Sequence, residues 1–375
     1  MGDTEKQTIR ATIAIIGAGP AGTAAAIHLG QLGVRDVVLL DAHDFPRDKT
    51  CGSGLSPRAI EVLRGLEVWG RVADRAYRIR GLRLVTPGGR EAYLPASDEM
   101  DVAVCLRRDL DYTMLQRALE LDVRFVANFR AHTPLVENGR WVGMRARDGR
   151  EVRAEHLVIA NGAHSKFIIN DEPTHEINTI MGWWRGVPFQ DGYLEMLFDQ
   201  MVHPLYGWLF PESAERVNIG ITYHDPEKRL KARDLFQRFL DKHYAARIAN
   251  ATPIGKWQGH PIRFAYTLGP LWSPGRVIIG EAGRMTHPAT GEGIYQGMQS
   301  GIFAAEALDA VLHRRVSEAA AFSRYENRCR LRFLPSFYAG WAFRQLLRTP
   351  ALDWAAALAA NPAVQRGLSL GLSSI

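Results

Sequence analysis

The stretch IAIIGAGPAG at residues 13–22 constrains this chain more than any other. Residues 12–16 form an apolar run of the kind needed by a strand buried on both faces of a parallel sheet. Gly17, Gly19 and Gly22 then set a G-x-G-x-x-G spacing, and an alanine-rich helix is expected over 21–32. In such a turn the first glycine permits the reversal and the second lets backbone approach a pyrophosphate. The third lets the helix pack closely on the strand. Pro20 and Ala21 open the helix, so the positive end of its dipole faces the phosphates. A second strand, 36–40, ends at Asp41, which follows Gly22 by the roughly 20 positions at which a carboxylate meets adenosine ribose hydroxyls. The pattern calls for a dinucleotide-binding α/β domain.

At 375 residues the chain has room for two modest domains sharing one interface. Its 46% hydrophobic and 23% charged composition is that of a globular protein, not a disordered one. The three cysteines include no CxxC pair, which argues against a disulfide framework or a zinc site, and no metal is expected. A reducing cytoplasm fits this usage. The charged N-terminus lacks the apolar core of a signal peptide, and no run of 18 apolar residues predicts a membrane span. A net charge of +6 favours anionic surfaces or substrates. The arginines are not gathered into a nucleic-acid motif, so no nucleic-acid partner is expected.

Further along, residues 43–63 form a proline- and glycine-punctuated loop leading to a helix start at Ser56-Pro57. Cys51, beside Gly52, reads either as a reactive thiol near a cofactor ring or as a small buried residue. Residues 79–94 predict a β-hairpin around Pro87-Gly88-Gly89, and 102–121 predict a strand followed by a helix. That helix carries an apolar stripe of Leu110, Met114, Ala118 and Leu121. Arg107, at the junction, reads as a contact to a cofactor phosphate or ribityl chain, or as a surface arginine. Strands are expected at 123–126, 141–145 and 155–161, the last ending in Asn161-Gly162, where ligands bind in open α/β sheets.

From 177 to 223 the pattern turns to period-two alternation rich in aromatics, and 217–223 predict a half-buried antiparallel strand. A charged helix is expected over 225–249. The last core strand, 277–280, delivers Gly280-Glu281-Ala282, and the segment from Pro288 through Gly291, Glu292 and Gly293 precedes a helix over 294–312. The amides at its start, from Ile294 on, can face an electron-rich group such as a flavin pyrimidine edge. The last 55 residues interleave arginines with aromatics in what read as short helices. These either lie on a membrane surface or pack back as a lid.

With GAGPAG, RDKTCGSGL, Arg107, ANGAHS and GEAG…PATGEGI in this order, the chain resembles flavoproteins of the glutathione-reductase-like, aromatic-hydroxylase-like group. Within that group it most resembles the geranylgeranyl reductase family. KTCGSGL at 49–55 is similar to that family's KxCGxGL loop, and PLYGWLFP at 204–211 is similar to its PxxYxWxFP motif. The resemblance covers about residues 10–320. It implies a Rossmann-like, glutathione-reductase-like FAD-binding domain over 1–78, 101–165 and 270–320. An inserted antiparallel substrate domain would occupy 79–100 and 166–269, with a helical C-terminal region over 321–375.

Carried over by position, Gly17, Gly19, Pro20, Ala21, Gly22 and Asp41 hold the ADP half of FAD. Arg107, Gly280 and Glu281 approach the ribityl–pyrophosphate chain. Pro288, Gly291, Glu292, Gly293 and Ile294 lie against the isoalloxazine. Cys51 and Gly52 border the flavin, and Tyr206 and Trp208 line the substrate channel; Cys51, Tyr206 and Trp208 are the candidate catalytic residues. The sequence departs from the family pattern at Glu281 and Asn161, where the family's aspartates are usual, and at Tyr206, which follows its proline one residue early.

The implied reaction is reduction of C=C bonds in a prenyl or other large apolar substrate by hydride transfer from reduced flavin. NAD(P)H or a ferredoxin-type protein would be the electron donor. The alternative is an FAD monooxygenase of an aromatic or lipidic metabolite. Halogenation fits less well, because YGWLFP departs from the WxWxIP of flavin halogenases at two positions. A non-catalytic FAD-binding protein is a third reading. Peripheral membrane contact through the C-terminus belongs to the membrane-surface reading of the tail, beside the lid reading.

Overall fold

Thr8–Ile16 is the middle strand of the larger sheet, and its residues alternate between two buried layers. Ile13 and Ile15 point to a core shared with helices, while Ala14 and Ile16 point to a second core with Phe129, Met144 and Val152. Burial on both faces is why the strand reads as a continuous apolar run. The structure, a computed structural model, describes residues 8–96, 101–169, 175–313, 315–349 and 351–358. The expectations for the first seven residues, for 97–100 and 170–174 in the substrate region, and for the tail beyond 358 fall outside the described residues.

The fold is mixed α/β, with three sheets among the described residues. In the eight-stranded sheet, Thr8–Ile16 pairs in parallel with Val37–Leu40 on one side and Glu151–Ile159 on the other. Arg124–Val126 and Arg276–Ile278 extend this parallel core, and the hairpin Ala131–Glu137/Arg140–Ala146 joins at Glu151–Ile159. Among the described residues the helices are α1 (Pro20–Gln31), α2 (Pro57–Gly65), α3 (Trp69–Ala73), α4 (Arg107–Glu120), α5 (Ala232–His243), α6 (Ala245–Ile248), α7 (Ile294–Leu312), α8 (Glu318–Leu346) and α9 (Ala351–Leu358). α1, α4, α7 and α8 contribute to the core on the Ile13 face, with Leu110, Met114 and Ala118 of α4 buried as their spacing predicts.

The seven-stranded sheet runs in the order Thr252–Phe264, His175–Arg185, Arg216–Tyr223, Gly207–Pro211, Tyr193–Leu197, Gly81–Val85 and Glu91–Pro95. All its joints are antiparallel except one: Tyr193–Leu197 pairs in parallel with Gly81–Val85. The hairpin read from 79–94 thus supplies the edge of this sheet. Gly54–Leu55, Val102–Val104 and Tyr77–Ile79 make a small third sheet.

Three expectations change. Arg216–Tyr223 is not half-buried but buried on both faces. Val217, Ile219 and Ile221 pack on Phe236 and Phe239 of α5, and the polar positions turn inward. There Asn218 accepts a hydrogen bond from the Trp208 indole and Thr222 donates to the Tyr206 carbonyl. The charged segment after Tyr223 starts as a loop, where Asp225 ties up the Arg229 and Leu230 amides, and then forms two helices rather than one, parted at Tyr244, whose φ of −129° leaves the helical range. The C-terminal region is dominated by α8, a single helix of 29 residues rather than short helices. Its inward stripe of Phe322, Tyr325, Cys329, Phe333 and Phe337, at helical spacing, buries it along its length, so Pro335 is accommodated within it. The strand Thr252–Phe264, broken in sequence by Pro253, Gly255, Gly259 and Pro261, has no counterpart among the sequence expectations.

Candidate functional site

The glycine turn is fixed by steric necessity. Gly17 has φ +111°, and a Cβ there would lie 2.5 Å from the Ala160 carbonyl oxygen. A Cβ on Gly22 would lie 1.9 Å from the Gly17 oxygen, so α1 can seat on the strand only with glycine there. Asp41 is buried at the end of Val37–Leu40 and accepts the Ala18 amide at 2.8 Å and the His43 amide at 3.0 Å. It therefore fastens the strand end to the glycine turn and still borders the cavity described next.

A single cavity of about 760 Å³ begins at this turn and runs between the two large sheets. At Gly19 the wall is open: the nearest atoms to a built Cβ are a guanidinium nitrogen of Arg107 at 3.9 Å and one of Arg47 at 4.0 Å. Arg107 opens α4 and is 6% exposed, so it is not a surface arginine. Its Nε and one Nη each donate to Asp111 at 2.7 Å. Arg47 reaches the same carboxylate at 3.2 Å and Asp41 at 3.8 Å, with its guanidinium over the Phe45 ring. The Arg47 Nε is buried without a hydrogen-bond partner. A buried guanidinium, that of Arg107, and a partly buried one, that of Arg47, thus share Asp111 beside the N-terminus of α1. That donor set fits a pyrophosphate, which accepts from planar guanidinium forks and from helix amides.

Mid-cavity, the Cys51 thiol is half-buried, accepts the Ser53 amide at 3.3 Å and lies beside Arg107. Gly52 lies against the Phe210 ring at 3.3 Å from a built Cβ. Lys49 approaches His260 at 3.5 Å, and burial together with the Arg107 charge lowers its pKa. Glu281 accepts the Arg263 amide at 3.1 Å and lies 4.0 Å from His260. Burial alone pushes the Glu281 carboxyl upward, but His260 and Lys49 outweigh it and leave it below its ordinary value.

Gly291, Glu292, Gly293 and Ile294 line the cavity at the start of α7. Burial raises the pKa of Glu292. The neighbouring Thr290 carbonyl accepts the Tyr206 hydroxyl at 2.5 Å. Burial raises the pKa of Tyr206 well above the ordinary phenol value, so it is a neutral donor.

Beyond the glycine loop, Leu82, Leu94, Met181, Leu194, Met196 and Phe210 of the seven-stranded sheet make the wall largely hydrocarbon, with the Thr179 and Thr222 hydroxyls beside them bonded to backbone carbonyls. Tyr206, Trp208 and Phe210 contact one another with ring centroids 6.2 and 6.1 Å apart. The Trp208 indole donates to Asn218 at 2.6 Å. The polar tips of Tyr206 and Trp208 are therefore spent on protein acceptors, and apolar surface is left for the cavity.

Of the remaining predicted residues, Pro20, Ala21 and Gly52 line the cavity, whereas Gly22, Gly280 and Pro288 lie behind its surface. Gly280 donates its amide to Ser300 and a Cβ on it would meet Ala21, so it serves the packing of α7 on α1. Sequence reasoning passed over Arg47, Lys49 and His260. The first two sit in the RDKTCGSGL loop it had already marked, and the third sits on the strand it did not recognise. Among the described residues no group of His, Cys, Asp or Glu is arranged to hold a metal. No described helix is long and apolar enough to cross a membrane.

The profile of a family described as FAD binding domain matches residues 10–190. Menaquinone reductase of Mycobacterium tuberculosis is 31% identical over 322 residues, covering 80% of this chain and 77% of the relative. The chain belongs to the geranylgeranyl reductase family of FAD-dependent oxidoreductases. A digeranylgeranylglycerophospholipid reductase of Methanopyrus kandleri is 25% identical over 87% of this chain and 83% of its own length. In fold, the chain resembles a geranylgeranyl bacteriochlorophyll reductase-like protein from Thermoplasma acidophilum, with TM-score 0.81 at 20% identity over 94% and 92% of the two chains. A flavin-dependent brominase is equally similar in fold, with TM-score 0.81 at 20% identity over 97% and 93%. The family's cofactor is FAD, and the arginine pair at Gly19 is suited to it.

Proposed function

We propose that this oxidoreductase reduces an isolated C=C bond in a prenyl chain or a similarly large apolar molecule. One observation carries the reading: Leu82, Leu94, Met181, Leu194, Met196 and Phe210 make one wall of the cavity hydrocarbon, and the polar groups of Tyr206, Trp208, Thr179 and Thr222 beside them are already bonded within the protein. A polar substrate gains nothing from such a wall, while an alkene chain loses no hydrogen bonds on entering it. The relatives named as reductases of menaquinone and of digeranylgeranylglycerophospholipid support the same class.

In this reading FAD lies along the cavity within a discontinuous cofactor domain, and the seven-stranded sheet covers the substrate. The α1 amides with Gly17, Gly19, Arg47 and Arg107 hold its pyrophosphate, and Asp41 holds the adenosine ribose. Glu281 takes a ribityl hydroxyl, its extra methylene matched by the Arg263 and His260 contacts that fix it. The amides of Gly293 and Ile294 meet the pyrimidine edge, where the N-terminus of α7 favours negative charge, while the Gly291 amide is held by the His287 carbonyl at 3.0 Å. Bound FAD supplies the two-electron reducing power. Cys51 and Gly52 close one side of the ring site, and Trp208 and Phe210 exclude water from the alkene.

Electrons arrive from NAD(P)H or a ferredoxin-type protein. The protein acts in the cytoplasm, with the C-terminal helices against a membrane surface: Leu331, Tyr338, Trp341, Leu346 and Trp354 are exposed there, beside Arg324 and Arg348.

Mass analysis of products tests the reading. A geranylgeranyl lipid incubated anaerobically with the reduced holoenzyme is expected to gain two hydrogens per bond reduced. Unchanged lipid anaerobically, with oxygen incorporated once air is admitted, would assign a monooxygenase instead.

A further inference from the structure

His287 is completely buried, and both ring nitrogens are in use. Nδ1 faces the backbone amides of Ala289 at 3.3 Å and Thr290 at 3.2 Å, and the Thr290 hydroxyl at 3.1 Å. Amides can only donate, so Nδ1 must be the unprotonated acceptor and the single ring proton must sit on Nε2. Nε2 lies 3.1 Å from the carbonyl of Ser336 on α8, an acceptor that completes this tautomer. The ring meets the edge of Phe337 at 5.7 Å, and a Cβ on Gly340 would lie 2.7 Å from it, so α8 rests directly on the imidazole.

The two ends of this connection matter to the site. On one side, the Nδ1 contacts fold the turn that carries residues 288–293, and the same turn is held from the opposite side by Tyr206. On the other, α8 continues to Phe343 and Leu347, which pack with Met181, Tyr206 and Trp208 of the substrate wall. One imidazole therefore joins the glycine loop to the helix that backs the hydrocarbon wall.

We infer that His287 is a positioning residue, which through Nδ1 sets the loop shape that receives the cofactor ring and through Nε2 anchors that loop to α8. This rests on the reading that residues 288–293 meet the flavin. Burial, and with it the charge of Arg58, disfavours the imidazolium. Protonation would put an N–H against two backbone amides, which can only donate, and open the turn.

Two isosteric substitutions separate the functions. Asn places an acceptor where Nδ1 stands, and Gln places a donor where Nε2 stands. His287→Asn is expected to bind FAD within about threefold of the native protein. His287→Gln, which leaves buried donors unsatisfied, should weaken binding at least about tenfold and alter the bound flavin's visible absorbance. Gly291→Val, which puts a side chain 3.0 Å from Ile262 at φ +69°, is the control for the loop itself and should also weaken binding.

Equal affinities for the Asn and Gln proteins, with Gly291→Val impaired, would overturn the role of His287 and leave the loop assignment standing. Native affinity in Gly291→Val would overturn the loop assignment, and this inference with it. A pH series on the folded native protein gives a second measure. Its FAD affinity should fall as the pH approaches about 4, where the buried ring takes a proton, and the fall should be smaller in the Asn protein, which keeps the cavity carboxylates but lacks the imidazole; identical pH profiles for the two would contradict the inference.

Discussion

The two ends of the cavity are held in shape by different physics. Around Gly19 the determinants are charges and backbone: two arginines sharing Asp111, a carboxylate tied to the Ala18 amide, and glycines where no Cβ fits. Around Trp208 they are volumes: aliphatic and aromatic side chains whose few polar atoms are satisfied internally. The first kind of site tolerates almost no atomic change, because removing one partner strands a buried charge. The second tolerates exchange of one hydrocarbon for another of similar size.

The largest test of that contrast is Asp111→Ala. It leaves the buried Arg107 and the partly buried Arg47 without their shared carboxylate, and a loss of about 3–5 kcal/mol in unfolding free energy is expected. Denaturant titration of the apoprotein measures it, and a loss below about 1 kcal/mol would show that water already reaches the pair.

Next comes acid. The folded protein holds His287 at about 4 against an ordinary value of 6.5. The fold thus favours the neutral ring, so its contribution is complete above pH 6.5 and lost as pH falls towards 4. The loss is on the order of 3 kcal/mol. The stability difference between native protein and His287→Asn, followed by denaturation across that range, isolates it from the titrating carboxylates.

The smallest expected effect lies at the hydrocarbon end. Met196→Leu conserves volume and should cost less than about 1.5 kcal/mol in stability. In steady-state assays KM should change more than kcat if the side chain only contacts substrate. An effect as large as that of Asp111→Ala would erase the distinction between the two ends.

How legible each end was in the sequence follows from the same difference. The glycine turn, Asp41, Arg107 and the α7 start are local: a few adjacent residues specify strand, turn and helix, and the structure forms those elements where the spacing put them. Asp111 was hidden because its partners lie in separate segments, and an i,i+4 pair on a helix ordinarily faces solvent. Thr252–Phe264 was hidden by its prolines and glycines; a long partner strand, His175–Arg185, overrides those breakers. The inward turn of Asn218 and Thr222 was unreadable because alternation reports which face is polar, not whether a tertiary neighbour covers it. His287 lay in a segment already marked by its glycines, but its role depends on Ser336, 49 residues away.

The central claim is that reduced flavin in this cavity passes its electrons to an alkene. The most direct measurement is anaerobic stopped-flow mixing of the reduced holoenzyme with a geranylgeranyl lipid, following flavin absorbance. Reoxidation that depends on lipid concentration and needs no oxygen is the predicted result. A flavin that stays reduced until oxygen is admitted, and then reoxidises faster with the lipid present, would contradict it.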